Sequence, residues 1–135
     1  MSLADYYQSL VEKIKSVVEG TGVFQEVHIG WKERVDAFPS AFIIPAEVTQ
    51  RPVSTQSEYR FRFAIQVVDR KSDPLEGLKA VMSHLCKVSE ALTADRTLGG
   101  LCLNLEVLSF SPFERVSEML NYWGSLSVVC LTVRD

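Results

Sequence analysis

The stretch EYRFRFAIQVVDR, residues 58–70, decides the fold because its side chains alternate in character along the chain. Successive side chains of a strand point to opposite faces of the sheet, so such alternation predicts a strand with one face in a core and one face open. The odd positions are apolar and the even positions are polar or small. The two sets are Tyr59, Phe61, Phe63, Ile65 and Val67 on one face, and Arg60, Arg62, Ala64 and Gln66 on the other.

Aromatic residues interleaved with arginines also occur on sheets that bind nucleic acid. An RNA-binding sheet exposes its aromatic rings so that bases can stack on them. Here the rings share a face with Ile65 and Val67, which predicts that they belong to the core. The arginines would be the exposed set, and arginines so spaced more often pair with acids, across the sheet or across a subunit contact, than with phosphate.

Composition predicts one globular domain, residues 1–135, with a core of ordinary size. Hydrophobic residues make up 47% and charged residues 23%. Fourteen basic and 17 acidic residues give a net charge of −3, which is not the footprint of a general nucleic-acid binder. The opening MSLADYYQSL has no apolar signal region, and no run approaches the ~18 apolar residues of a membrane span, so we expect a soluble cytoplasmic protein without a membrane partner.

The three cysteines, Cys86, Cys102 and Cys130, are far apart and form no paired motif. A zinc site built from paired thiolates is therefore not supported, and neither a metal nor a cofactor is expected. We interpret the cysteines as buried or half-buried free thiols of a reducing compartment.

Two segments have helical periodicity. The first begins near Leu3 and ends at Gly20 and Gly22. The second has Asp73 as N-cap and Pro74 in its first turn, and is expected to end near Leu92. Their predicted buried stripes are Leu3, Tyr6, Tyr7, Leu10, Val11, Ile14, Val17 and Val18 in the first, and Leu75, Leu78, Val81, Met82, Leu85, Val88, Ser89 and Leu92 in the second.

The remaining segments favour strands at residues 23–29, 41–48, 101–110 and in the final SLSVVCLTVRD. Pro45 indicates that its strand lies at an edge, bends there or ends there. The segment TQRPVSTQS, residues 49–57, is interpreted as a polar loop or a hairpin arm, and SPFERVSEMLNYW, residues 111–123, as irregular. The last segment has apolar residues on both faces, which is typical of a central strand.

The resulting order α-β-β-β-α-β-β predicts an α+β fold with a single mixed or antiparallel β-sheet and two helices packed on one face. The other face has no evident cover from within the chain. We expect it to hold part of the last strand together with Arg60, Arg62, Gln66, Asn104 and Glu106.

Catalytic signals are weak, because the chain has two histidines and none of the usual phosphate-loop, dinucleotide, serine-nucleophile or zinc-protease motifs. His84 would lie well off the apolar stripe of its helix and is expected to be exposed. His28 and Glu26 share a strand face, as either an acid–base pair or a solvated surface pair. No catalytic residue is predicted.

Taken together, the parts resemble the tail-terminator proteins of long-tailed bacteriophages, also called tail-completion or minor tail proteins. The resemblance lies in the order of parts: a helix ending in GTGVFQEVHIG, the proline-led strand FPSAFIIPAE, a polar arm, the strand at 58–70, and the capped helix DPLEGLKAVMSHLCKVSEAL. The segment SFSPFERVSEMLNYWGSLSVVCLTV is similar to the C-terminal end of that family, where a variable loop leads into the last strand.

This resemblance implies a structural protein without enzymatic activity. It implies a homo-oligomeric ring, a hexamer, at the head-proximal end of the tail tube, which ends tube growth and joins the tube to the head–tail connector. DNA would be a partner only as it passes through the lumen, and the protein would occur in the host cytoplasm during assembly and then in the virion tail. The predicted subunit or partner interface comprises Arg60, Arg62, Gln66, Arg51, Glu58, Phe113, Glu114 and Arg115.

Two alternatives remain open at this point. The chain could be a small α+β ligand-binding or regulatory oligomer that covers a metabolite with its open sheet face. It could also be an enzyme whose site is assembled between subunits, in which case replacing His28 or His84 with alanine would abolish activity.

Overall fold

A computed structural model describes residues 2–32, 34–117 and 120–135. It has the predicted order of two helices and five strands, in an α+β fold with both helices on one face of a mixed sheet. The elements are α1 (Leu3–Gly20), β1 (Glu26–Ile29), β2 (Ser40–Val53), β3 (Gln56–Arg70), α2 (Pro74–Ala94), β4 (Asn104–Ser117) and β5 (Asn121–Arg134).

The strands lie in the order β1-β2-β3-β5-β4. Strand β1 runs parallel to β2, and the other neighbours are antiparallel. Strand β5 is therefore an inner strand with a neighbour on each side, in keeping with its apolar character on both faces, and β4 is an edge strand. Strand β1 is shorter than the predicted 23–29 segment.

The alternation in β3 defines the two faces of the sheet as predicted. Phe61 and Phe63 are each 1% exposed under the helices, whereas Arg60 and Arg62 are exposed on the other side. Paired residues on neighbouring strands share a face. The register places Arg62, Val129 and Glu106 in one row and Arg60, Leu131 and Asn104 in the next. Four of the five predicted open-face residues therefore lie together, while Gln66 lies two rows from Arg62, opposite Ser125.

Both helices pack their apolar faces on β3 and its neighbours. The side chain of Ser2 caps α1 by accepting a hydrogen bond from the Asp5 N–H at 3.1 Å. Leu3, predicted to be buried, is 39% exposed because it lies in the first turn, ahead of the buried positions Tyr6, Leu10, Val11, Ile14 and Val18. Within the described ranges, neither helix is long and apolar enough to cross a membrane.

Helix α2 begins as predicted, with the Asp73 carboxylate accepting from the Glu76 N–H at 3.2 Å. Its buried face differs from the predicted stripe, because Leu75 and Leu78 are 73% and 37% exposed. At about 100° per residue, the centre of the buried set is rotated by about 50° away from that stripe, towards Gly77. The buried residues of α2 are Gly77, Val81, Leu85, Val88 and Leu92.

The polar segment after Pro45 is a hairpin arm, one of the two predicted alternatives. Strand β2 continues to Val53, and β3 starts at Gln56 after a two-residue turn. The β2–β3 register shifts between Pro45 and Val48, so the strand has an irregularity where the proline interrupts it. Because β1 pairs with Ser40–Ile43 of β2, no other strand among the described residues lies along the outer side of β2 from Pro45 onwards.

The segment predicted to be irregular after residue 110 remains in β4 up to Ser117, with register shifts at Val107/Ser109 and Ser111/Arg115. Glu118 and Met119 of the same prediction lie outside the described residues. Only the shift at Ser111/Arg115 falls within this segment, and the other lies in the predicted strand 101–110. Residues 121–123, also predicted to be irregular, are instead paired residues of β5. Bulges are common in edge strands such as β4.

The second sheet face is not bare throughout, contrary to the prediction. Phe42, Val68 and Trp123 form a small buried cluster there, and Val35 and Phe38, from the segment between β1 and β2, pack against it. The sequence does not reveal this cover because these two apolar residues lie between the predicted strands 23–29 and 41–48, in a segment without helix or strand periodicity. The bare part of the face is the half near Arg60, Arg62 and Glu106.

Tyr6 joins α1 to the far end of the sheet through its hydroxyl. It donates to the Leu101 carbonyl at 2.6 Å, shares a hydrogen bond with Thr132 Oγ1, and is 7% exposed. Tyr6→Phe is expected to lower the free energy of unfolding by about 1–2 kcal/mol, because two buried polar groups lose a partner. Urea unfolding measures this loss, and an unchanged midpoint would show that the hydroxyl contributes nothing.

Candidate functional site

The predicted interface residues fall into three parts of one surface. The first is a cluster near the hairpin arm, and the second is the bare sheet face. The third is the second half of β4 together with Gln66 of β3, which donates a hydrogen bond to it. The parts contain, in that order, Arg51, Glu58 and Arg60; Arg62; and Gln66, Phe113, Glu114 and Arg115.

The arm cluster is built on one carboxylate shared by two arginines. Glu58 Oε2 accepts from Arg51 Nη2 and Oε1 accepts from Arg60 Nε, each at 3.1 Å. Hydrogen bonds from Arg51 and then Arg60 hold the pKa of Glu58 below its usual range. Two guanidinium groups and one carboxylate give the cluster a net charge of +1. Both arginines are bonded to the same acid within the chain.

The β4 group combines weak polar contacts with exposed apolar surface. Gln66 Nε2 donates to Glu114 Oε1 at 3.4 Å, and the Arg115 guanidinium lies 4.5 Å from the centre of the Trp123 ring. Phe113, which precedes Glu114 in β4, is 55% exposed. Arg115 therefore adds to the cover over Trp123 at one end of the second sheet face. Phe113 is exposed on the edge strand β4.

Large apolar side chains are exposed at both edges of the sheet, which sequence reasoning missed. The β4 edge is defined here by Leu108, Phe110, Phe113 and Val116. The β1–β2 edge is defined by Ile29, Trp31, Val48 and Val53, with Trp31 61% exposed. The residues themselves are visible in the sequence, but their position at edges depends on strand order, which hydrophobic periodicity does not determine.

Exposed apolar side chains grouped along two sheet edges are typical of interaction surfaces. A sheet edge also presents backbone N–H and C=O groups without a neighbouring strand. The arrangement is therefore suited to pairing with another chain at either edge.

His84 is not exposed as predicted. Its Nε2 lies 2.8 Å from Asp69 Oδ2, the two side chains are 16% and 7% exposed, and the ring packs against Phe24. The prediction was wrong because the buried face of α2 is rotated towards this side chain. In the part of the chain that the structure describes, no serine, threonine or cysteine side chain is bonded to His84, so the geometry is that of a structural pair between α2 and β3.

Burial alone would raise the pKa of Asp69. The hydrogen bonds from His84 and from the Arg70 N–H, with the charges of His84 and Lys71, outweigh it and lower the pKa. The carboxylate therefore stabilises the fold above its ordinary pKa, and this stabilisation is lost as the pH falls through the lowered value.

Asp69→Asn is expected to lower the free energy of unfolding by about 1–2 kcal/mol at neutral pH, because a charged hydrogen bond to His84 is lost. The difference between wild type and variant should shrink as the pH falls below the ordinary range of a carboxyl group and through the lowered pKa of Asp69, where the wild-type carboxylate takes up its proton. Urea unfolding from neutral to acidic pH measures the difference. A constant gap between the two curves would contradict the assignment.

His28 and Glu26 form the pair that the sequence predicts, with His28 Nε2 3.3 Å from Glu26 Oε1. Lys32 also reaches this carboxylate, at 3.4 Å, and both members of the pair are about one-third exposed. The pair therefore has the character of a solvated surface network, and its histidine stacks on Phe42 with ring centres 5.4 Å apart.

The cysteines are free thiols, as predicted, with Cys102 and Cys130 buried and Cys86 half-buried. The hydrogen bond with Cys102, together with burial, raises the pKa of the Cys130 thiol. Across residues 2–32, 34–117 and 120–135, no group of three or more histidine, cysteine, aspartate or glutamate side chains could hold a metal ion.

Concave regions beside the open face are small. One beside Thr49 and the arm cluster measures about 200 Å³, and one between Arg60 and Glu106 about 50 Å³. Pockets for small molecules typically measure roughly 300–1,000 Å³. These hollows favour a protein contact over a metabolite site on this face.

No protein-family model matches the chain, and no curated protein matches its sequence.

Proposed function

We propose that this protein is a structural, tail-terminator-like protein of a phage or prophage. It forms a ring of identical subunits at the head-proximal end of the tail tube, ends tube growth and joins the tube to the head connector. The observation that carries the proposal is the exposure of large apolar side chains along both opposite edges of one sheet.

A ring requires two different patches on each subunit, since a head-to-tail contact joins one patch of a copy to the other patch of its neighbour. The β4 edge and the β1–β2 edge supply two such patches on opposite sides of the chain. The resemblance in element order, which is independent of exposure, supports the same role.

The alternative of a ligand-binding oligomer requires a cavity large enough for a metabolite. Such an oligomer would enclose a metabolite against the open face, where the hollows measure about 200 and 50 Å³. A stable dimer that carries a bound metabolite through purification would favour this alternative and overturn the ring.

Deleting the gene from the phage or prophage that encodes it tests the proposal. Electron microscopy of induced lysates is expected to show tail tubes of uncontrolled length that are not joined to heads. Supplying the wild-type chain in trans should restore tails of uniform length, and so should the exposed-helix variant Leu75→Arg as a matched control. Normal virions from the deletion would overturn the proposed function.

A further inference from the structure

We propose that the subunit contact is an antiparallel pairing between the β4 edge of one copy and the β1–β2 edge of the next. The inference rests on the proposed function, for which it supplies the contact between neighbouring subunits. The occupant of each edge is a second copy of this chain.

Strand direction permits this pairing. Strand β1 is parallel to β2, and the three successive antiparallel pairs make β5 run with β2 and β4 run against it. The two edges of the sheet therefore have opposite directions. When a second copy continues the sheet in the same orientation, its β2 meets β4 of the first copy as an antiparallel ladder, the more stable of the two kinds.

Both edges have room for a neighbouring strand. Strand β4 is 14 residues long and, within residues 2–32, 34–117 and 120–135, pairs with β5 alone. Strand β1 is four residues long, so over the same ranges β2 from Pro45 to Val53 has no strand on its outer side. Each edge also contains proline, Pro112 in β4 and both Pro45 and Pro52 in β2, which limits a ladder to the residues between and beside these positions.

Side chains at the two edges match in character. Each carries exposed apolar residues, such as Leu108 and Phe113 on β4 and Trp31 and Val48 opposite. Charge favours this pairing over a symmetric one, because β4 carries Glu106, Glu114 and Arg115, a net charge of −1, while Glu47 and Arg51 of β2 with Glu58 and Arg60 of β3 sum to zero on the arm.

A second copy is the occupant because the two edges cannot satisfy each other within one chain. Four strand spacings of roughly 4.8 Å separate them, about 19 Å in all. A contact between unlike patches repeats from copy to copy and can close into a ring. A symmetric β4–β4 contact would instead place like charges near each other and would leave the β1–β2 edge open.

Two edge-blocking variants test the pairing. Leu108→Arg places a charge on the β4 edge, and Val48→Arg places one on the β1–β2 edge; both side chains are 44% exposed, so folding should survive. Sedimentation velocity up to about 1 mM chain, the weak end of specific affinities, should show self-association of the wild type and a monomer for each variant alone. Leu75→Arg, at neither edge, should associate as the wild type does.

Mixing the two variants gives the sharpest result. Each still has one intact edge, so the mixture should form a one-to-one dimer and nothing larger. Self-association of either variant alone at the wild-type level, a mixture that stays monomeric, or a wild type that is monomeric at the highest concentration would each overturn the pairing. If circular dichroism shows that a variant is unfolded, Phe113→Arg and Trp31→Arg repeat the test.

The outcomes separate the pairing from the proposed function. A head-to-tail contact together with normal tails after gene deletion would retain the pairing and reject the function. Defective tails together with association that both variants leave intact would retain the function and reject the pairing.

Discussion

Phe61→Ala is expected to lower the free energy of unfolding by about 3–5 kcal/mol, the usual loss when a buried phenylalanine is truncated and leaves a cavity. Phe61 is 1% exposed, and its ring lies 5.7 Å from that of Tyr6 and 5.5 Å from that of Tyr7. Phe63→Ala should cost a similar amount, since Phe63 is equally buried and its ring lies 6.0 Å from Tyr7. Both side chains fill the space between β3 and α1.

The arginines between and beside these rings are matched controls on the same strand. Arg62→Ala should change the free energy of unfolding by less than about 0.5 kcal/mol, and Arg60→Ala by about 0–1 kcal/mol, because Arg60 has only a surface ion pair with Glu58. Both should alter self-association more than folding. Urea unfolding and sedimentation measure the two effects, and equal stability losses in all four variants would contradict the division of faces.

Gly124→Ala is expected to destabilise the protein by about 2–3 kcal/mol through overpacking. A methyl group there would lie 2.5 Å from Val81 Cγ1, 2.9 Å from the Ser111 carbonyl oxygen and 3.0 Å from that of Pro112. Backbone oxygens cannot swing aside as the end of a flexible side chain can. The glycine therefore allows α2 and the bulged part of β4 to approach the inner strand β5 closely.

Gly20→Ala is the matched control for this substitution. A methyl group at Gly20, the last residue of α1, meets nothing within 4 Å. The change should be neutral or stabilising by up to about 1 kcal/mol, because alanine is the better helix former. Thermal unfolding of the two variants compares them directly, and equal melting temperatures would show that the close approach at Gly124 is relieved at no cost.

The strands and their faces could be predicted because their determinants are local. Alternation along β3 identified which side chains are buried, and Asp73 and Pro74 marked the start of α2. The inner position of β5, between β3 and β4, agrees with its apolar residues on both faces. These features depend on neighbours within a few residues.

The rotation of α2 could not be predicted in the same way. Gly77 is buried against Tyr122, where an added methyl group would lie 2.4 Å from the ring. A glycine adds little to an apolar stripe, whereas Leu75 and Leu78 dominate it although both are exposed. The ring of Tyr122, on β5, thus determines which face of α2 is buried. As a result, His84 lies in contact with Asp69.

The two apolar edges were missed for a similar reason. Leu108 and Phe113 lie at the two register shifts of β4, where counting by twos along the strand fails. Val48 and Trp31 reach an edge only because β1 is short and lies outside β2. Strand order is a property of the whole chain, and no local pattern encodes it.

The position of β5 has a consequence for synthesis on the ribosome. This strand is made after β4 yet is inserted between β3 and β4, with partners from Ser57 to Arg70 on one side and from Asn104 to Ser117 on the other. Until β5 leaves the ribosome, β3 and β4 of the nascent chain lack the strand that lies between them. The backbone N–H and C=O groups of β3 and β4 that face β5 are then open to mispairing. The sheet is therefore completed in one late, cooperative step. A chain that ends before Asn121 is expected to remain misfolded and to be bound by chaperones or degraded by proteases.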